Sequence, residues 1–363
     1  MSSVASLLYR GPKTMSHIKS IIGQTRLIAS FIVMVLSASV SVADTPRVAV
    51  DIAPVHSLVA RVMDGVDTPA LIIAAGASPH EYSLRPSEAA ALQKADVIFW
   101  IGPELTPWLD KALSTLAHDA VQVSFINAEG TILLPYRESA LFERHDHDDD
   151  HADHADHDDH DDHADHDDQD DHADHDDDDD HAYHDDHTNH DQHPMDPHLW
   201  LSPENGIVWM NMIAEVLAEA DPTNAATYRA NAVTGQKELI NLQTNINTIL
   251  APHRGKNFIT FHDGFQYFED HFNFPAMGAI ALSDASQPGP ARLAAIRERI
   301  ANESISCVLS EPQYQSGIIT AVTGEIEVNI GVVDAVGYRL ELGRDLYPQL
   351  LRDLAEALAE CLA

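Results

Sequence analysis

The sequence predicts an α/β protein of two lobes, each with a mainly parallel sheet flanked by helices, joined by one long spine helix. Three observations carry this. Short apolar runs alternate with helix-forming stretches on both sides of Pro222, the signature of parallel sheets covered by crossover helices. After Pro222 no further Pro and a single Gly, Gly235, occur up to Leu250. A helix over that span would be roughly 40 Å long at its per-residue rise, longer than a crossover within one lobe needs. Finally, His145–His193 is so poor in apolar residues that it belongs to no core and is expected to be disordered.

In the first half, Val48–Ile52 reads as a strand and Val55–Met63 as a helix. Ala70–Ala74 reads as a strand that runs into the loop Gly76–His80. Ser87 is the expected N-cap of a helix through Lys94. Val97–Ile101 is a continuous apolar run, as a strand buried on both faces should be. Leu105–Leu116 reads as a helix and Val121–Phe125 as a strand. Ser202-Pro203-Glu204 opens another helix with Pro in its first turn, and Asp221-Pro222 opens the spine. In the second half the strands are Asn257–Phe261, Ala276–Ala281, Cys307–Ser310 and Val328–Val333. The helices are Phe265–Phe272, Ala291–Asn302, Gly317–Thr323 and Tyr347–Leu362. The expected domains are a signal peptide over 1–43, a first lobe over 44–221 with the insert 145–193, a linker helix over 222–252 and a second lobe over 253–363.

The N-terminal reading rests on Lys19 and Arg26 ahead of the apolar run Leu27–Leu36, followed by Ser41-Val42-Ala43 before Asp44. That run is too short to span a bilayer and fits a secretory signal, so the mature chain is expected outside the cytoplasm. The 363 residues carry a formal net charge of −37, of which the insert contributes −24. The remainder is an ordinary acidic protein with no basic patch to suggest nucleic acid. Two cysteines in an exported chain, Cys307 and Cys361, suggest a disulfide, with two unpaired buried thiols as the other reading.

The insert points to metal. It holds 15 His and 24 Asp in 49 residues, and acidity alone would need no imidazole. His151, His154, His157, His160, His163 and His166 recur every three residues. A flexible chain can thus bring two or three imidazoles to one divalent ion. Ordering such a chain costs about 1–2 kcal/mol per residue fixed, so these histidines suit collection better than tight binding.

A folded site should lie beyond strand ends, where ligands bind in open α/β sheets. His80 follows a strand, His262 directly follows another, and His198 lies between the insert and a helix. Asp334 directly follows Val328–Val333. Three imidazoles and one carboxylate make a closed tetrahedral Zn2+ set, and a site richer in carboxylate would favour Mn2+. Glu81, Asp263 and Glu311 are candidate partners that would fix an imidazole tautomer. His56, His118, His253 and His271 read as structural or surface residues.

The runs Gly76-Ala77-Ser78-Pro79-His80-Glu81-Tyr82, His198-Leu199-Trp200-Leu201-Ser202-Pro203, Phe261-His262-Asp263 and Leu309-Ser310-Glu311-Pro312 resemble those of zinc-uptake periplasmic binding proteins. The resemblance covers the mature chain. It implies a protein that takes Zn2+ between two lobes and passes it to an ABC transporter permease. His80, His198 and His262 would then be the imidazole ligands and Cys307–Cys361 a disulfide. Some relatives carry Glu where this chain has Pro79, and Ala335 replaces a Pro after the matching Asp334, so the fourth ligand is Asp334 or water. The chain is expected to work as a monomer. A Mn2+ or Fe2+ carrier of the same fold is the alternative. A zinc hydrolase is disfavoured, because Leu84 stands where a zincin helix starting at His80-Glu81 needs its second His.

Overall fold

The computed structural model describes residues 45–137, 142, 194–281, 288–313, 316–324 and 326–363. The expected signal peptide and the insert with its six regularly spaced histidines lie outside the described residues. Thr45–Ala363 forms one compact unit. In it, β1 (Val48–Val50), α1 (Ala53–Val62), β2 (Ala70–Leu71), α2 (Pro86–Lys94), β3 (Val97–Trp100), α3 (Pro107–Leu116) and β4 (Val121–Ser124) make the first half. Two helices follow, α4 (Pro203–Ala220) and the spine α5 (Ala225–Leu250). The second half is β5 (Asn257–His262), α6 (Gln266–His271), β6 (Ala279–Ala281), α7 (Pro290–Asn302), β7 (Ile305–Ser310), α8 (Ser316–Thr323), β8 (Asn329–Val332) and α9 (Leu346–Cys361).

The two sheets have the same plan. Each has four parallel strands, in the orders β2-β1-β3-β4 and β6-β5-β7-β8. In such a sheet the chain departs to opposite sides from the two central strands, which opens a crevice at their carboxyl ends. In the first sheet Asp51 links the ends of the two central strands, its carboxylate accepting from Ile52 N at 2.7 Å and from Ile101 N at 2.8 Å. In the second the crevice is flanked by His262, the last residue of β5, and Glu311, the first after β7.

Several boundaries differ from expectation for local reasons. Ser87 is the second residue of α2 rather than its cap. Pro86 leads, and Glu88 reaches back to accept from Arg85 N at 2.7 Å. Helix α3 starts two residues after Leu105, because Leu105 and Thr106 both donate to the carbonyl of Gly102. The spine starts at Ala225 because the Asp221 carboxylate gathers Thr223 N, Asn224 Nδ2 and Tyr228 Oη into a separate turn.

The spine buries Tyr228, Ala232, Gly235, Leu239, Leu242, Ile246 and Leu250, spaced three or four apart along one stripe. Gly235 permits the close crossing, since a Cβ there would lie 2.6 Å from Met210 Sδ. One apolar core holds residues of both halves, among them Val50, Trp200, Trp209, Tyr228, Phe268 and Tyr347. Helix α9 crosses back to the first half: Tyr347 N donates to Ser57 Oγ at 2.9 Å and Tyr347 Oη to the Trp200 carbonyl at 2.7 Å. A disulfide joins Cys307 in β7 to Cys361 at the end of α9, with 5.5 Å between Cα atoms. Among the described residues no helix is long and apolar enough to cross a membrane.

Candidate metal centre

His80 sits on the long loop between β2 and α2. That loop is held at three points. The Tyr82 hydroxyl donates to Glu88 at 2.7 Å and accepts from Ala74 N at 3.3 Å. Trp108 Nε1 donates to the Pro79 carbonyl at 2.8 Å. Gly76 (φ +82°) lies under the ring of Tyr338, 2.0 Å from where a Cβ would stand. Only glycine fits both the conformation and the contact.

His198 and His262 are built alike. Asp196 Oδ1 accepts from His198 N at 2.9 Å and pairs with His198 Nδ1 at 2.7 Å. Glu311 Oε1 meets His262 Nδ1, and Glu311 Oε2 accepts from Gln313 at 2.9 Å. A neutral imidazole has one donor and one acceptor nitrogen. With Nδ1–H given to a carboxylate, Nε2 is the acceptor nitrogen of each neutral ring. The two Nε2 atoms stand 3.4 Å apart. Two lone pairs so placed repel unless a cation lies between them. Ligands at about 2.0–2.1 Å in tetrahedral array would be about 3.3–3.4 Å from one another, which is this spacing.

His80, His198 and His262 line one cavity with Glu311, Gln313 and Tyr338. The His80 and His198 ring centroids are 5.8 Å apart, and those of His198 and His262 5.3 Å apart. No group of three or more His, Cys, Asp or Glu among the described residues is already arranged to hold an ion.

Asp334 is not among the residues that line this cavity. Strand β8 ends at Val332, and the Asp334 carboxylate folds back to accept from Val336 N at 3.1 Å, Gly337 N at 2.8 Å and Arg339 N at 3.3 Å. Its loop instead contributes Ala335, Val336 and Tyr338 to the lining. Of the three carboxylates named as imidazole partners, Glu311 takes that place and Glu81 is exposed. Asp263 faces Arg137 at 3.5 Å, and burial pushes its carboxyl up to about 7.

A family described as the periplasmic component A of zinc-uptake complexes matches residues 48–361. The chain belongs to that zinc-uptake family. High-affinity zinc uptake system proteins ZnuA of Brucella suis and Paracoccus denitrificans are each 44% identical to it, covering 87% and 88% of this chain and 91% and 93% of their own. A crystal structure of ZnuA shares the fold with a TM-score of 0.64 at 21% identity, covering 88% of this chain and 100% of that one.

Three residues of this family member were not singled out in the sequence. Asp196 carried a signal in its Asp-x-His spacing to His198. Gly264 carried none: a Cβ there would stand 2.2 Å from His262 Nε2. Tyr338, half exposed over Gly76, is visible only once the two loops meet. The other described histidines stay apart from the cavity. His56 is buried with Nε2 at 3.0 Å from the Pro69 carbonyl, His118 is an exposed neighbour of Asp119, and His271 lies 3.9 Å from Glu204.

Proposed function

We propose that this chain captures Zn2+ between its two halves and delivers it to an ABC transporter permease for import. The observation that carries the reading is the pair of Nε2 atoms of His198 and His262, each aimed inward by a carboxylate on Nδ1. His80 supplies the third imidazole from the first half. We take water as the fourth ligand, since Asp334 is not among the residues that line the cavity and its carboxylate accepts from three backbone N–H groups of its own loop. Such a set favours Zn2+ over Mn2+, by ligand softness and by the intrinsic affinity order. The halves 44–221 and 253–363 act as the two walls, with 222–252 as the rigid connection.

The ion is cargo, so the protein works as a carrier and not as an enzyme, and as a monomer. Export by the N-terminal signal puts the mature chain, starting at Asp44, in the periplasm. N-terminal sequencing of the secreted protein should read from that residue. The insert's histidines collect ions.

The test is equilibrium binding by the mature protein, with free Zn2+ buffered in the nanomolar range. One equivalent should bind, and His80→Ala, His198→Ala and His262→Ala should each abolish it. Full binding by any of the three removes that residue from the site.

A further inference from the structure

The backbone that leads into the insert is tied by a guanidinium to Glu269 of α6 and to Asp263. Tyr136 N donates to the Pro194 carbonyl at 3.0 Å and Asp196 N to the Leu134 carbonyl at 2.8 Å, so the chain leaves and returns through a short antiparallel stem. The stem is pinned to α6 twice. The Tyr267 hydroxyl accepts from Leu134 N at 2.9 Å and donates to the Asp196 carbonyl at 2.9 Å. Arg137 Nη2 donates to Glu269 Oε2 at 2.8 Å, while Arg137 Nε stands 3.5 Å from Asp263 Oδ1.

Asp196, Asp263 and Glu269 are all buried. Asp196 orients the His198 ring, and Asp263 is the residue after His262. Among the described residues Asp196 Oδ2, Asp263 Oδ1 and Glu269 Oε1 have no hydrogen-bond partner. Where they are ionised, carboxylates left this way in a dry region repel one another. A guanidinium fork between two of them opposes that, which a single ammonium cannot do at both at once.

We propose that Arg137 is a positioning residue for the metal site, holding the backbones that carry His198 and His262 so that their Nε2 atoms stay at ligating separation. The inference rests on the His80–His198–His262 reading. Arg137 touches no ion and acts through Asp263, Glu269 and the stem.

The test uses the mature full chain with nanomolar buffered Zn2+, and the visible spectrum after one equivalent of Co2+, which colours strongly only in a tetrahedral set. Arg137→Met should weaken Zn2+ roughly 10- to 100-fold, the usual cost of losing an outer-shell partner, and should alter the Co2+ bands. Arg137→Met with Glu269→Gln removes cation and anion together. It should restore the thermal midpoint of the metal-free protein while leaving affinity low. Wild-type affinity and spectrum in that double variant would show that Arg137 serves stability alone. If the double variant does not fold, Arg137→Lys decides: weaker Zn2+ binding at unchanged thermal midpoint supports the proposal, and unchanged binding overturns it. Zn2+ binding that survives both His198→Ala and His262→Ala would instead sink the site reading, whatever Arg137 does.

Discussion

Gly264 has no side chain because the His262 ring lies where one would be. A Cβ placed there would come within 2.2 Å of Nε2, the nitrogen aimed at the cavity. Gly264→Ala must therefore displace the ring while removing no ligand. The expected result is at least a tenfold loss of Zn2+ affinity by buffered titration, with the fold intact by circular dichroism. Asp334 is the opposite case, a residue of ligand type outside the cavity lining, whose carboxylate accepts from three backbone N–H groups. Asp334→Asn keeps an oxygen for Val336 N and Gly337 N, so Zn2+ affinity should stay within a few-fold of wild type. Asp334→Ala strips all three N–H groups of their partner and should cost about 1–3 kcal/mol of unfolding free energy in urea titration. A large affinity loss in Asp334→Asn would instead make it a ligand. Position alone suggested Asp334, since it closely follows a strand. Its direction depends on a loop conformation that no single residue reveals.

At the scale of elements, the two sheets use the same crevice differently. In the second, β5 and β7 end in His262 and Glu311, and the crevice opens to the cavity. In the first, the Asp51 carboxylate bridges the ends of β1 and β3 through Ile52 N and Ile101 N. Burial pushes the Asp51 carboxyl up to about 7 from its ordinary 3.8, against the lowering effect of the N–H groups of Ile101 and Ile52. The sign follows from linkage. The folded state binds this proton more tightly than the unfolded state, so the contribution of Asp51 to stability is complete below about pH 4. It is lost as pH rises to about 7 and stays level above. Asp51→Asn cannot titrate. The stability of the variant minus that of the wild type should rise between about pH 4 and pH 7 and then flatten, measured by urea unfolding across that range. A difference independent of pH would mean that Asp51 is charged throughout. The spine was legible from the absence of Pro and from its apolar stripe. Its start was not, because the Asp221 side chain captures the first turn in a contact pattern that Asp-Pro also allows within a helix.

For the whole molecule, the halves share a core and are joined by more than the spine. Helix α9 packs on α1 and α5 as well as on β7 and β8, and the Cys307–Cys361 bridge fastens its end. The bridge spans 54 residues, which in the chain-entropy account restricts the unfolded state by on the order of 4 kcal/mol. Cys307→Ala with Cys361→Ala should lower the unfolding free energy by about that amount, and Zn2+ should remain bound at low temperature, because neither cysteine lines the cavity. Loss of Zn2+ binding in a folded double variant would tie α9 to the site more closely than the packing indicates.

Much was settled by sequence alone. Alternating apolar runs specify parallel sheets, because strands buried on both faces tolerate little else. A histidine at the end of such a run, as in Phe261-His262, is placed at a crevice by topology before any contact is known. What only the tertiary structure decided is how the polar groups pair. Arg137 lies 126 residues from Asp263 in numbering, and the Asp334 carboxylate meets the backbone N–H groups of its own loop. Apolar burial leaves a periodic imprint on the chain because it depends on faces. A hydrogen bond depends on the direction of single atoms, which loops set only after both halves have packed.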